Sequence, residues 1–184
     1  MNNKAKFNRY AELLREWSTR MNLVAPSTLG DIETRHFADS AQLADVLPKN
    51  VDIIDMGSGA GVPGVVLAIL GWRVTCIESI GKKVLFLNTL KSELDLKNLT
   101  IYHGRLEDFI RQMPANLSNF IFTARAFAPL IKILDYVHTK NYRLFLLKGR
   151  EIESEISVAK KKYKFKYKLI PSKTGDGFIT IISK

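Results

Sequence analysis

Asp55-Met56-Gly57-Ser58-Gly59-Ala60-Gly61 is the most informative segment of this chain. An apolar run suited to a strand, Val51 to Ile54, precedes it, and one suited to a helix, Val62 to Leu70, follows it. Strand, glycine-rich turn and helix in that order make the cradle used for nucleoside-containing ligands. Glycines at such a turn let the backbone approach a ligand where side chains would collide with it.

The spacing separates this loop from two better-known phosphate cradles. A dinucleotide fingerprint starting at Gly57 requires its third glycine at position 62, which is Val62; the third glycine is Gly61. Gly59 and Gly64 have phosphate-loop spacing, but Val65 stands where the lysine belongs. Nothing near the loop neutralises a pyrophosphate, and an acid, Asp55, heads it. Glu78 ends the next strand-like run, Arg73 to Ile77, where a carboxylate can accept two ribose hydroxyls. Glu107 follows a third run, Leu99 to His103. Acids at three successive strand ends suit a cationic, hydroxyl-rich, phosphate-free ligand, and S-adenosyl-L-methionine is one. The competing reading is a tight strand–helix turn with the acids as helix caps.

Working outward, strands are expected at Val51–Asp55, Arg73–Ile77, Leu99–His103, Phe120–Thr123 and Tyr142–Leu147, with helices near Pro63–Leu70, Lys82–Leu94, Leu106–Met113 and Leu130–His138. Alternation of this kind predicts an α/β fold with a mostly parallel, Rossmann-like sheet. After a helix near Glu151–Lys161 come two strands, Tyr163–Ile170 and Gly177–Ile182, joined by the turn formers Ser172 to Asp176. An antiparallel hairpin closing a parallel sheet resembles the ending of the class I methyltransferases, whose motif I the alternating Asp-x-Gly-x-Gly-x-Gly loop also resembles. Before the glycine loop, Phe7, Tyr10, Leu14, Trp17, Met21 and Val24 form one helical stripe ended by Pro26. A second helix is expected from Asp31, as N-cap, to Val46. The expected organisation is one domain over 1–184, with a helical extension over 1–48 and a Rossmann-like core over 51–184.

Composition narrows the setting. At 184 residues and 46% hydrophobic content, there is material for one well-packed core. No apolar run approaches the ~18 residues of a membrane helix, and the start of the chain lacks the apolar segment of a secretory signal. A single cysteine, Cys76, sits in an apolar strand-like run and reads as core, which fits a cytoplasmic protein. The net charge of +10 favours a polyanionic partner. Much of it is local: Lys160, Lys161, Lys162, Lys164, Lys166 and Lys168 lie between Glu155 and Asp176, a stretch without an acid. Tyr163 to Lys168 alternates aromatic and lysine, so on a strand the rings take one side and the lysines the other. The lysines are then either a solvated face or contacts to phosphate.

Several segments together resemble the bacterial glucose-inhibited division protein B family, the small-subunit ribosomal RNA guanine-N7 methyltransferases. They are Trp17 with Asn22-Leu23, Arg35-His36-Phe37-Ala38-Asp39-Ser40, the loop Asp55 to Gly64 with its Pro63-Gly64 ending, Glu78-Ser79 with Lys82-Lys83 and Phe86-Leu87, Arg105-Leu106-Glu107, Arg125-Ala126, and Lys148-Gly149. The match runs from about Trp17 to Gly149 and is only general beyond. The resemblance implies cofactor contacts at Gly57, Val62, Leu106, Glu107 and Arg125. Gly59 joins them from the cradle and Glu78 from the ribose argument. It also implies that His36, Asp39, Lys82, Arg105 and Arg125 line the substrate side. His36 and Asp39, three apart on a helix, share a face and can also be a plain surface pair. The implied partner is small-subunit ribosomal RNA or the small ribosomal subunit, met by a monomer without metal or membrane.

The residues present suit that chemistry. Methylation at cytosine C5 needs a cysteine nucleophile, and Cys76 reads as buried. Exocyclic amines typically use an Asn/Asp-Pro-Pro-aromatic run after the fourth strand, where this chain has Thr123-Ala124-Arg125-Ala126-Phe127. Guanine N7 has a free lone pair and no proton to lose, so alignment with the methyl–sulfur bond suffices. Arg125 or Arg105 can hold guanine through O6 or by stacking. Phe127 can stack on a displaced base or pack in the core. Direct displacement without a covalent enzyme intermediate is expected. The rival functions are methylation of another RNA or a small molecule, and non-catalytic RNA binding by an assembly factor.

Overall fold

In the computed structural model, which describes residues 1–114 and 116–184, seven strands form one sheet in the order β3-β2-β1-β4-β5-β7-β6. The strands are β1 (Asp52–Met56), β2 (Arg73–Glu78), β3 (Leu99–His103), β4 (Phe120–Arg125), β5 (Arg143–Lys148), β6 (Lys166–Pro171) and β7 (Phe178–Ser183). β1 to β5 run parallel; β7 is inserted antiparallel between β5 and β6. This is the expected class I methyltransferase sheet with its closing hairpin. β1 pairs with both β2 and β4, so the winding reverses there. A crevice opens outside the carboxyl ends of strands at such a reversal.

Helices cover both faces: α1 (Asn3–Ser18), α2 (Asp39–Ala41), α3 (Gly64–Ile69) and α4 (Gly81–Glu93), then α5 (Leu106–Gln112), α6 (Leu130–Val137) and α7 (Ile152–Lys160). One core packs Tyr10 and Leu14 of α1 and Leu67 of α3 against Ile53 of β1, with Phe86 and Leu87 of α4. The other packs Leu130 and Leu134 of α6 and Ile156 of α7 against Phe122 and Leu144. The central strands are buried on both faces, as a parallel sheet requires. No helix among the described residues is long and apolar enough to cross a membrane.

Three elements depart from the sequence expectation. The apolar stripe runs on to Val24, but α1 stops at Ser18, because the Thr19 hydroxyl donates to the Glu16 carbonyl and closes the last turn. Leu23 and Val24 still pack on the core, from a loop. The helix expected over Asp31–Val46 is a chain of short turns: 3₁₀ over Pro26–Asp31, π over Glu33–Ala38, α2, then 3₁₀ over Gln42–Asp45. Asp31 does accept from the Thr34 N–H as expected of a cap. Side chains then compete for the backbone, with Ser40 bonding the His36 carbonyl and Gln42 that of Asp39. The strand expected from Tyr163 begins at Lys166, so the alternation of rings and lysines is a strand pattern only over Lys166-Tyr167-Lys168.

Candidate active site

A cavity of about 1050 Å³ opens where the winding reverses. Its floor is the glycine loop, Gly57 to Ala60, with Val62. Arg125 to Pro129 and Lys148 to Arg150 follow from the ends of β4 and β5. The N-terminal extension and the β6–β7 turn close the sides.

The loop glycines divide by what surrounds them. A Cβ on Gly59 would meet nothing nearer than the Gly57 carbonyl at 3.8 Å, and Gly59 takes φ +51°, a conformation other residues rarely adopt. A Cβ on Gly57 would strike the Phe127 ring at 2.2 Å, and one on Gly64 would strike Asp55 and Cys76 at 2.6 and 2.7 Å. Gly59 is therefore the glycine whose missing side chain leaves open space. The other two let protein pack on protein, and Phe127 spends one face against Gly57 and lies near Tyr136.

Backbone bonds hold the loop. Ser58 N–H donates to the Ile77 carbonyl and Gly61 N–H to that of Ser58. The Tyr10 hydroxyl, fully buried on α1, donates to the Ala60 carbonyl at 2.6 Å. Glu78 accepts from the Gly59 N–H at 2.9 Å through Oε2 and from the Ser79 and Ile80 N–H groups through Oε1. It thus fastens the loop to the end of β2, with one bond at Oε2 leaving acceptor capacity there.

Asp55, the acid that heads the loop, is turned away from the cavity. It is 1% exposed, accepts from Gly64 N–H at 3.2 Å through Oδ2, and leaves Oδ1 without a partner among the described residues. Burial pushes its carboxyl up to about 7. The expectation that three strand-end acids face one cationic ligand is corrected to this extent: Asp55 packs the strand–helix joint. Cys76 beside it is fully buried and its thiol is pushed up by burial, as a core cysteine.

Arg125 organises the cavity wall that meets the N-terminal extension. It ends β4, and Ala126 after it takes φ 51° and turns the chain sharply. The Arg125 guanidinium donates from Nε to Asp39 Oδ2, from Nη1 to His36 Nδ1 and from Nη2 to the Arg35 carbonyl, each at 2.8 Å. Because His36 Nδ1 accepts, its proton sits on Nε2 and is donated to Thr28 Oγ1 at 2.8 Å; Thr28 passes its own proton to the Ala25 carbonyl. Burial first and the neighbouring Arg125 second lower the imidazole to about 4, so His36 is neutral at pH 7. Asp39 Oδ1 accepts from Thr174 and Gln42, and Gln42 bonds Ser172 and the Lys173 N–H. His36 and Asp39 are thus not a surface pair. They tie the extension to Arg125 and to the β6–β7 turn.

The other expected residues sit differently. Lys82 is exposed at the start of α4, outside the cavity wall, and its neighbour Lys83 lines it. Arg105, Leu106 and Glu107 lie at the start of α5, one strand further along the sheet edge, also outside the wall; Arg105 and Glu107 are exposed and Leu106 is buried. Lys148 and Glu155 form an ion pair at 2.6 Å. Lys148 also donates to the Ala128 carbonyl, and Glu155 accepts from Leu130 N–H. The pair clamps the Ala126–Pro129 segment onto the end of β5. Lys148 carries part of the resemblance, but no sequence signal joins it to Glu155. Nor does any signal single out Tyr10, Thr28 or Thr174, which are ordinary choices for a helix stripe or a turn.

The sheet order, the hairpin and a crevice floored by a glycine loop define a class I methyltransferase fold. Solved structures agree: the chain matches an O-methyltransferase from Bacillus cereus in complex with SAH (TM-score 0.62, 14% identity, 96% of this chain and 91% of that one). It also matches an rRNA methylase from Streptococcus thermophilus (TM-score 0.54, 16% identity, 79% and 93%). Residues 3–174 match the GidB family model, rRNA small subunit methyltransferase G. Relatives named ribosomal RNA small subunit methyltransferase G are 41% identical in Dinoroseobacter shibae (91% of this chain, 88% of the relative) and 37% identical in Hyphomonas neptunium (96% and 85%). The chain belongs to the GidB family.

Proposed function

We propose that this chain is an S-adenosyl-L-methionine-dependent methyltransferase that modifies guanine N7 in small-subunit ribosomal RNA. The observation that carries the reading is the open space over Gly59 beside a guanidinium held rigidly at the end of β4. Gly57, Gly59 and Val62 would form the cofactor's bed. Glu78 fixes that bed and has acceptor capacity for a ribose hydroxyl; Leu106 and Glu107 stand one strand along. When bound, the cofactor supplies an electrophilic methyl group.

The chain's own residues need only position the acceptor. Three of the five N–H donors of Arg125 are committed, which leaves the others for a guanine O6. Neutral His36 and the Asp39 side chain stop the guanidinium from swinging, so orientation is set before the substrate arrives. No general base is required at N7, and none is offered: His36 Nδ1 is occupied by Arg125. Arg35 and Lys83 in the cavity wall, neither in an ion pair among the described residues, give the mouth cationic groups suited to phosphate, while Arg150 is paired with Asp176.

The test uses purified protein, labelled S-adenosyl-L-methionine and small ribosomal subunits from cells lacking the activity. Label recovered in 7-methylguanosine after digestion is the expected result. Label in another nucleoside rejects the N7 assignment, and absence of label on subunit and naked RNA alike rejects the substrate.

A further inference from the structure

The lysine-rich segment lies at the end of the sheet away from the cavity. Register puts Arg143 of β5, Ser183 of β7 and Lys166 of β6 side by side, while the cavity is walled by the opposite ends of these strands. The six-residue strand β6, at ~3.3 Å per residue, separates the two regions by roughly 17 Å. α7 ends in the same place, on Lys160 and Lys161. Residues 156–175 contain no acid. Asp135 of α6, which faces this segment, is already held by Lys162 and by the Tyr163 hydroxyl. Lys164, Lys166 and Lys168 are exposed and have no ion-pair partner among the described residues. Tyr167 between them is 44% exposed, with the Lys160 ammonium 4.4 Å from its ring centre.

Lysines on an edge strand block unwanted strand pairing. That accounts for Lys166 and Lys168 but not for the charges carried beyond the strand, on the end of α7 and at Lys164. Crowded like charges repel one another and are relieved by a polyanion. We infer that this end of the sheet is a second RNA-docking surface, gripping phosphates of the structured substrate RNA about one strand length from the base being methylated. The inference rests on the proposed RNA substrate. It adds that the footprint exceeds the cavity, which a small substrate could not exploit.

The experiment measures affinity for deproteinised small-subunit RNA against salt, for wild type and for the triple variant Lys164→Ser, Lys166→Ser, Lys168→Ser. Each lost phosphate contact removes roughly 0.7–0.9 from the slope of log affinity on log salt. Three contacts lower the slope by about 2–2.7, and over a fourfold salt range the wild type then loses about 20–40-fold more affinity than the variant. Unchanged S-adenosylhomocysteine affinity and melting temperature show that the variant is folded, and a triple arginine variant restores the slope. Identical slopes for wild type and serine variant overturn the inference. So does loss of binding to anionic lipid vesicles with no change on RNA. Because binding is read without turnover, a wild type that binds with this slope but methylates nothing rejects the proposed reaction and leaves the surface standing.

Discussion

Replacing Tyr10 with Phe removes one oxygen atom from a residue that never meets the cavity. The Tyr10 hydroxyl is the partner of the Ala60 carbonyl, Tyr10 is fully buried and Ala60 is 4% exposed. The ring and its packing 4.7 Å from Phe37 remain. An orphaned buried carbonyl costs about 1–3 kcal/mol. Where that energy appears depends on the loop. If Gly59–Glu78 and Ser58–Ile77 hold it in place, the whole penalty falls on stability. At about 2–4 °C per kcal/mol for a chain of this size, melting drops by roughly 2–12 °C. If Ala60, which also lines the cavity, turns its carbonyl to water, stability recovers and ligand binding must pull the loop back. Each 1.4 kcal/mol of that work weakens affinity about tenfold. We expect a division between the two, with S-adenosylhomocysteine bound roughly 3–10-fold more weakly and melting lowered by a few degrees. Calorimetry and a thermal melt on the same preparation read both. A melting temperature within 1 °C of wild type together with affinity within about twofold would falsify the reasoning, since the 1–3 kcal/mol must surface somewhere.

Three further outcomes are expected. Gly59→Leu places a side chain in the open space of the cradle and strains a left-handed backbone by about 1–2 kcal/mol; calorimetry should detect no S-adenosylhomocysteine binding while the protein still melts cooperatively, and retained affinity would move the cofactor elsewhere. Arg125→Ala should abolish most turnover and also cost about 1–3 kcal/mol of stability, because the guanidinium fastens the extension as well as lining the cavity; a wild-type rate removes Arg125 from the mechanism, and an unchanged melting temperature removes it from the fastening. Asp55→Asn tests the buried carboxyl. Folded Asp55 keeps its proton up to about 7 against an ordinary 3.8, so its stabilising contribution is full below 3.8 and is lost as pH rises through about 7. Asn has no proton to lose, so the melting difference, variant minus wild type, should climb between pH 4 and 7 and then level off. The opposite trend from His36 is common to both proteins and cancels. A flat difference across that range shows that Asp55 is ionised in the fold.

The elements legible in the sequence were those governed by local pattern. Apolar runs alternating along the chain located the five parallel strands and the helices between them to within a residue or two, because such runs bounded by turn formers leave little choice. The glycine loop was legible for the same reason. Its division of labour was not: Gly57, Gly59 and Gly64 look alike in sequence and are told apart by whether Phe127, open space or Asp55 stands opposite. Asp55 and Glu78 likewise both read as strand-end acids. Both are buried, and only the direction of each side chain separates them: Asp55 turns into the strand–helix joint and Glu78 toward the Gly59, Ser79 and Ile80 amides.

What the sequence determined by itself, then, is the α/β architecture, the position of the cradle and the excess of positive charge, since each follows from residue type and short-range spacing. Which side chains share the site depends instead on how the layers pack. Arg125 meets His36 and Asp39 across some ninety residues of chain, Tyr10 meets Ala60 across fifty, and the lysine cluster lies a full strand length from the cavity. Contacts of that range are set by how the sheet reverses at β1 and how the extension folds back over it. No local pattern encodes those distances, because they exist only once the layers have packed.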